Sequence, residues 1–123
     1  MMDDDIKSYR DLRAWQSGID IAANVYRLTQ NWPKAELYGL TSQIRRAATS
    51  IPANIAEGYG RHSSGSYIQF LKVAQRSLKE LETHLILASR VAITTEDAIE
   101  LILQQTDALG RMLFGPIRKL SPD

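Results

Sequence analysis

Tyr67, Leu71, Ala74, Leu78, Leu81, Leu85, Ala88 and Ala92 stand at alternating spacings of four and three residues without a break. Residues so spaced share one side of an α-helix, so the run predicts a long helix laid lengthwise against partners. Ser64 or Ser66 can cap its start. Three further runs with the same period should supply those partners.

The first runs from about Asp11 to Gln30, with Leu12, Trp15, Ile19, Ala22, Tyr26 and Thr29 as its seam. Ile21, Val25, Leu28 and Trp32 lie roughly 60 to 100° around the same cylinder and widen the apolar face. Pro33 ends the run, because the residue before a proline is pushed out of helical dihedrals. After a short connection, a helix is expected from Leu40 to about Tyr59, with Leu40, Ile44, Ala48, Ile51, Ile55 and Gly58 on its buried face. Pro52 falls inside it. It cannot donate to the Ala48 carbonyl and its ring crowds that group, so a kink is expected, eased by Thr49, Ser50, Asn54 or water. Gly58 and Gly60 are expected to break the helix, leaving a polar loop from Arg61 to Gly65. The last helix should begin at Thr94, with Asp97 in a capping-box-like place. Ile99, Ile102, Thr106, Leu109, Leu113, Ile117 and Leu120 form its seam, and Gly115 and Pro116 should break or kink its final turn.

No segment alternates with period two, and no repeat or linker is visible. Four helices joined by turns of about 4 to 8 residues predict an all-α fold, an antiparallel up-down-up-down four-helix bundle with a proline kink in helix two. The domain should span residues 9–120, between a disordered N-terminal tail (1–8) and a C-terminal tail (121–123). A chain of 123 residues can bury roughly two-thirds of the surface its unfolded form exposes. It has no cysteine, which excludes disulfides and thiolate metal sites. Its start, Met-Met-Asp-Asp-Asp, is acidic where a secretory signal is basic and then apolar, and no run approaches the ~20 apolar residues that span a bilayer. The expectation is a cytoplasmic protein.

Candidates for catalysis or metal binding are few. His84 follows Glu80 by four residues, a spacing that suits a solvated pair, and no third ligand converges on it. His62 sits in a polar loop without a nucleophile context. Gly58 and Gly60 end a helix rather than lead from a strand into one, so they are not a phosphate loop. No enzymatic activity, cofactor, metal or small-molecule substrate is expected.

The net charge is only +1, so nucleic-acid binding would need local patches or their repetition by oligomerisation. Lys72, Arg76 and Lys79 line up on the side of helix three away from its seam. Such a stripe can neutralise phosphates, and it is equally natural as a solvated face beside Glu80 and Glu82. Arg45 and Arg46 differ, because Ser42, Thr49, Ala53 and Ala56 around them are small enough for another surface to approach closely. These residues read as an intersubunit contact in which an arginine pairs with a carboxylate such as Glu57.

Two stretches, ELYGLTSQIRRAATSIPANIAEGYGR and YIQFLKVAQRSLKELETHL, resemble the 23S rRNA intervening-sequence proteins. The matching residues are Gln43, Arg45, Arg46 and Ala47; Ser50, Ile51, Asn54, Ile55, Ala56, Glu57 and Gly58; Gly60 and Arg61; and Ser77, Glu80, Glu82 and Thr83. Gln75 and Arg76 depart from a pattern that often has small residues there. The resemblance covers about residues 9–115 and implies a four-helix bundle that assembles as a ring, typically a homopentamer, with no enzymatic activity. A related branch, the accessory variability determinant of diversity-generating retroelements, implies nucleic acid and a reverse transcriptase as partners.

Two functions follow. The first is a ring that binds RNA or DNA through repeated basic surfaces, with Arg61, Lys72, Arg76, Lys79, Arg111, Arg118 and Lys119 as contacts. The second is a homo-oligomeric protein-interaction scaffold, with Ser42, Arg45, Arg46, Thr49, Ala53, Ala56 and Glu57 serving assembly.

Overall fold

The computed structural model describes residues 6–121. A short 3-10 turn (Tyr9–Asp11) leads into α1 (Arg13–Thr29), and a second (Lys34–Glu36) leads into α2 (Leu40–Tyr59); α3 (Ser64–Arg90) and α4 (Glu96–Leu120) follow. The described residues contain no strand. Each helix packs on the next, and α4 closes against α1. Contacts run in opposite directions along each consecutive pair. Gly18 meets Pro52 while Thr29 meets Arg45, and Gly58 meets Phe70 while Ser50 meets Ser77. Glu82 likewise meets Thr106 while Gln75 meets Gly110. This is the antiparallel four-helix arrangement expected from the short connections.

The core is made by the predicted inner faces of α2, α3 and α4. Ile44, Ala48, Ile51 and Ile55 from α2, Leu71 to Leu85 of the α3 seam, and Ile99 to Ile117 of the α4 seam are buried. Full burial of each large aliphatic side chain stabilises by about 1.5–3 kcal/mol. Leu120, expected in the α4 seam, is instead 38% exposed at the end of the helix.

Helix one corrects the expected seam. Its buried residues are Gly18, Ile21, Ala22, Val25 and Thr29, whereas Ile19 and Tyr26 lie on the exposed flank. Two neighbours, α2 and α4, press on α1 from different sides, so the buried stripe lies between the two apolar sets read from the sequence. Gly18 belonged to neither set. It is buried because the Pro52 backbone lies against it.

α2 is continuous from Leu40 to Tyr59, with Pro52 inside it and buried. The side chains expected to relieve the Ala48 carbonyl serve other carbonyls. Thr49 donates to those of Arg45 and Arg46, and the Asn54 amide donates to the Ser50 carbonyl (2.8 Å) and to Ser50 Oγ (2.9 Å). Ser50 Oγ in turn lies 2.8 Å from Ser77 Oγ, which joins α2 to α3 inside the bundle. Gly58 does not break the helix. It is buried within it, and a Cβ there would come within 2.8 Å of Phe70 Cβ and 3.1 Å of the Tyr67 ring. The helix ends at Tyr59, one residue after that glycine, with Gly60 as its cap, and the expected loop shrinks because α3 already includes Gly65.

The caps fall one residue from their expected places. Ser63 Oγ accepts from the Ser66 amide at the start of α3, and Thr95 Oγ1 accepts from the Ala98 amide (3.1 Å) at the start of α4. Neighbouring serines or threonines can all make this bond, and backbone entry angle chooses among them. α3 stops at Arg90 in a Schellman turn: the Ile93 amide reaches the Ala88 carbonyl (2.9 Å) and the Ala92 amide reaches the Ser89 carbonyl (3.3 Å). Ala92 therefore leaves the seam and takes the left-handed position, φ 64°. Gly115 and Pro116 do not end α4, which continues to Leu120. Met112, whose carbonyl loses its N–H partner to Pro116, is 37% exposed, so water can reach that side of the helix.

Of the expected tails, residues 1–5 and 122–123 lie outside the described residues. Residues 7 and 8 are held. Both their amides donate to Asp11 Oδ2, at 2.7 and 3.2 Å, and these bonds keep the Asp11 carboxyl below its ordinary pKa. Ser121 closes the other end by donating its amide to the Ile117 carbonyl (3.1 Å).

Candidate nucleic-acid and assembly surfaces

Antiparallel packing of α3 on α4 sets the N-terminal half of one beside the C-terminal half of the other. Lys72, Arg76 and Lys79, one stripe of α3, therefore face Asp107 and Arg111 of α4 across a groove of about 650 Å³. Its floor is apolar: Leu78, Gly110 and the half-exposed ring of Phe114. Gln75 Nε2 spans the groove to the Gly110 carbonyl at 3.4 Å. Arg111 is paired with Asp107 on its own helix, and Lys79 lies 3.4 Å from Glu82. Both cations are more than three-quarters exposed, so these pairs are each worth at most ~1 kcal/mol and can exchange for a phosphate.

Glu82 is not the solvated residue expected beside the basic stripe. Its other oxygen accepts from the buried Thr106 hydroxyl at 2.7 Å, which ties α3 to α4 below the groove. Glu80 does make the expected pair with His84, Oε2 to Nε2 at 3.5 Å on one helix face. Among the described residues, no three His, Asp or Glu side chains gather as metal ligands.

The other expected phosphate contacts lie outside the groove. Arg118 stacks over Phe114 (5.2 Å to the ring centroid) and so borders it, while Lys119 is exposed on the last turn of α4. Arg61 is held at the α2–α3 junction, paired with Glu57 at 2.8 Å and stacked 4.7 Å from the Phe70 ring centre. It lines a separate hollow with Gly58, His62 and Tyr67. Burial, and then the nearby Tyr59, push the Tyr67 phenol above its ordinary pKa.

On the other side of the bundle, α1 and α2 form the face expected to meet a neighbouring subunit. Arg45 is largely spent within the chain. Its Nε donates to Thr29 Oγ1 (2.9 Å), and its guanidinium lies 4.6 Å from the Tyr26 ring centre. Glu57, expected to pair with Arg45 or Arg46 of the same or a neighbouring subunit, pairs within the chain with Arg61. Arg46, Thr49 and Ala53 are exposed, and Ser42 and Ala56 are half-buried. Ser42, Arg46 and Thr49 line a hollow of about 320 Å³ together with Tyr26, Leu37 and Tyr38, and Ala53 and Ala56 lie outside it. Tyr38 is 93% exposed, and the buried Thr41 hydroxyl beside it has no hydrogen-bond partner among the described residues.

Sequence reasoning found the α3 stripe and Arg111 but missed Gly110, Phe114 and the Glu82–Thr106 bond. Thr106 was visible as the one polar residue in the α4 seam, and such a residue needs a partner. Gly110 and Phe114 carried no separate signal, because the groove exists only once two helices are paired.

The fold and its surfaces define an all-helical bundle with one cationic interhelical groove and one aromatic, small-residue face. A family model described as 23S rRNA-intervening sequence protein matches residues 10–115. The chain belongs to that family. Four chains of solved structures match it. One is the crystal structure, at 1.70 Å, of a protein with unknown function from the S23 ribosomal protein family of Bacteroides thetaiotaomicron, similar over 85% of this chain and 98% of that one, with 25% identity and a TM-score of 0.77. A search of curated proteins finds no match. No helix among the described residues is long and apolar enough to cross a membrane.

Proposed function

We propose that this protein is a non-enzymatic, cytoplasmic member of its family that assembles into a ring, a homopentamer, and binds RNA or other nucleic acid through basic surfaces repeated around that ring. The observation that carries the reading is the convergence of Lys72, Arg76, Lys79 and Arg111 on one groove between α3 and α4. Repetition by assembly would multiply phosphate contacts in a chain whose own net charge is +1. Arg118 and Lys119 extend the same cationic end, whereas Arg61 contributes at most from the α2–α3 junction. Assembly itself is supported by the α1–α2 face, where an almost wholly exposed tyrosine stands beside small residues.

The same face favours a second reading, a homo-oligomeric scaffold that meets another protein, such as a reverse transcriptase, without touching nucleic acid. Titration of structured RNA and duplex DNA against the protein at rising salt separates the two. Nucleic-acid binding should weaken with a log–log slope of about −0.7 to −0.9 per phosphate neutralised. No salt-sensitive shift at low salt and micromolar protein leaves the scaffold.

A further inference from the structure

We propose that the α3–α4 groove takes an unpaired base of single-stranded nucleic acid, stacked on Phe114 above Gly110, with the flanking phosphates on Lys72, Arg76 and Arg111. This rests on the nucleic-acid reading above and narrows it to single strands. A cationic rim alone would suit any polyanion, but here it surrounds an apolar floor. Gly110 and Phe114 are one helical turn apart on α4, so the space left by the missing side chain adjoins the exposed aromatic ring. The chain's own packing does not require that glycine. A Cβ at position 110 would meet only Leu78 Cδ1, at an unstrained 3.9 Å. Glycine is among the poorest residues for a helix interior, and at position 110 it leaves the floor beside Phe114 open.

Charge complementarity makes the occupant anionic. Asp107 is the one carboxylate among the described residues lining the groove, and Arg111 covers it. The groove volume of about 650 Å³ falls within the ~300–1,000 Å³ range of small-ligand sites, enough for a base with its sugar and phosphates. A duplex keeps its bases stacked inside and offers only phosphates to such a site. A single strand can turn a base onto an aromatic ring, and every base has a face that stacks.

The test uses the full chain and three labelled probes of equal length: oligouridylate, oligothymidylate and an RNA duplex. Fluorescence anisotropy should show both single strands binding roughly tenfold more tightly than the duplex. An oligouridylate preference over oligothymidylate would identify RNA as the source of the strand, and the reverse DNA; either supports the slot. Gly110→Met fills the floor with a better helix former and should remove the single-strand advantage while duplex affinity stays. Phe114→Leu should do the same. Ultraviolet cross-linking of oligouridylate to the unmutated protein should label the tryptic peptide Met112–Arg118, a readout independent of any variant's folding. Equal, salt-sensitive binding of all three probes, or cross-links only elsewhere, overturns the base slot and leaves the nucleic-acid reading standing. No binding of any probe overturns both. Binding of an acidic amphipathic peptide instead, abolished by Gly110→Met, gives the groove to a protein partner and overturns the proposal.

Discussion

Gly18 of α1 lies so close to Pro52 of α2 that a Cβ on the glycine would stand 3.2 Å from the proline Cβ and 3.3 Å from its Cα and N. The proline contributes no N–H to its own helix, and the glycine lets the two helices approach closely at that point. Gly18→Val should destabilise the bundle by about 1–3 kcal/mol through overpacking. Gly18→Ala should be near neutral, because a gain in helix propensity of ~1 kcal/mol offsets a milder squeeze. Urea midpoints measure both. Adding Pro52→Gly, which removes the Cβ nearest to Gly18, to Gly18→Val should recover part of the squeeze, and additive effects would show that the contact is not the cause.

Thr106 and Glu82 form a hydrogen bond between a buried hydroxyl and a partly shielded carboxylate, 2.7 Å long. Thr106→Val keeps the shape and removes the donor. It should cost about 1–2 kcal/mol in denaturant unfolding, in the lower part of the range for bonds to a charged group because Glu82 retains some solvent. Glu82→Gln should cost less, since the amide oxygen can still accept.

Ala92 occupies a backbone position, φ 64°, that carries a steric penalty for any side chain. Ala92→Gly should stabilise the protein by about 0.5–1 kcal/mol, seen as a raised Tm, because relief of strain exceeds the added freedom of the unfolded chain. A lowered Tm would place the strain elsewhere.

Arg45 and Arg46 are adjacent in sequence and divided by the fold. Arg45→Glu breaks the Thr29 bond and the stacking on Tyr26, and should lower stability by about 1–2 kcal/mol whatever the assembly state. Arg46→Glu changes an exposed side chain and should stay within about 0.5 kcal/mol of the parent. Mass measurement in solution of the Arg46→Glu protein is therefore the cleaner probe of assembly: a smaller particle with intact helicity supports the subunit face. An unchanged particle removes Arg46 from it.

The helices were legible because burial imposes a period on the chain, and the inner faces of α2, α3 and α4 follow that period along most of their length, failing at Ala92 beyond the end of α3 and at Leu120 on the last turn of α4. Helix one was less legible. Ile19 and Tyr26 fit the period as well as Ile21 and Val25 do, and only the positions of two neighbouring helices decide between them. Gly58 read as a helix breaker because its packing role depends on Phe70 and Tyr67, residues of another helix. Pro116 read as a stop because a proline's cost depends on whether solvent reaches the carbonyl it abandons. The cationic stripe of α3 was visible in its spacing, but its counterpart across the groove was not, since Arg111, Gly110 and Phe114 meet Lys72 and Arg76 only after α3 and α4 pair.

The Ser50–Ser77 contact within the bundle has a consequence for alignment. A seam of leucines and alanines repeats, so α3 displaced by one turn along α2 would still set apolar residues against apolar residues. The two hydroxyls do not repeat. In a displaced bundle the buried Ser77 hydroxyl would face hydrocarbon with its hydrogen bond unmade, at a cost of about 1–3 kcal/mol, while Ser50 would keep only the bond it accepts from Asn54 on its own helix. The two hydroxyls act as a key that favours the observed register, alongside the close seat of Gly58 against Phe70 and Tyr67.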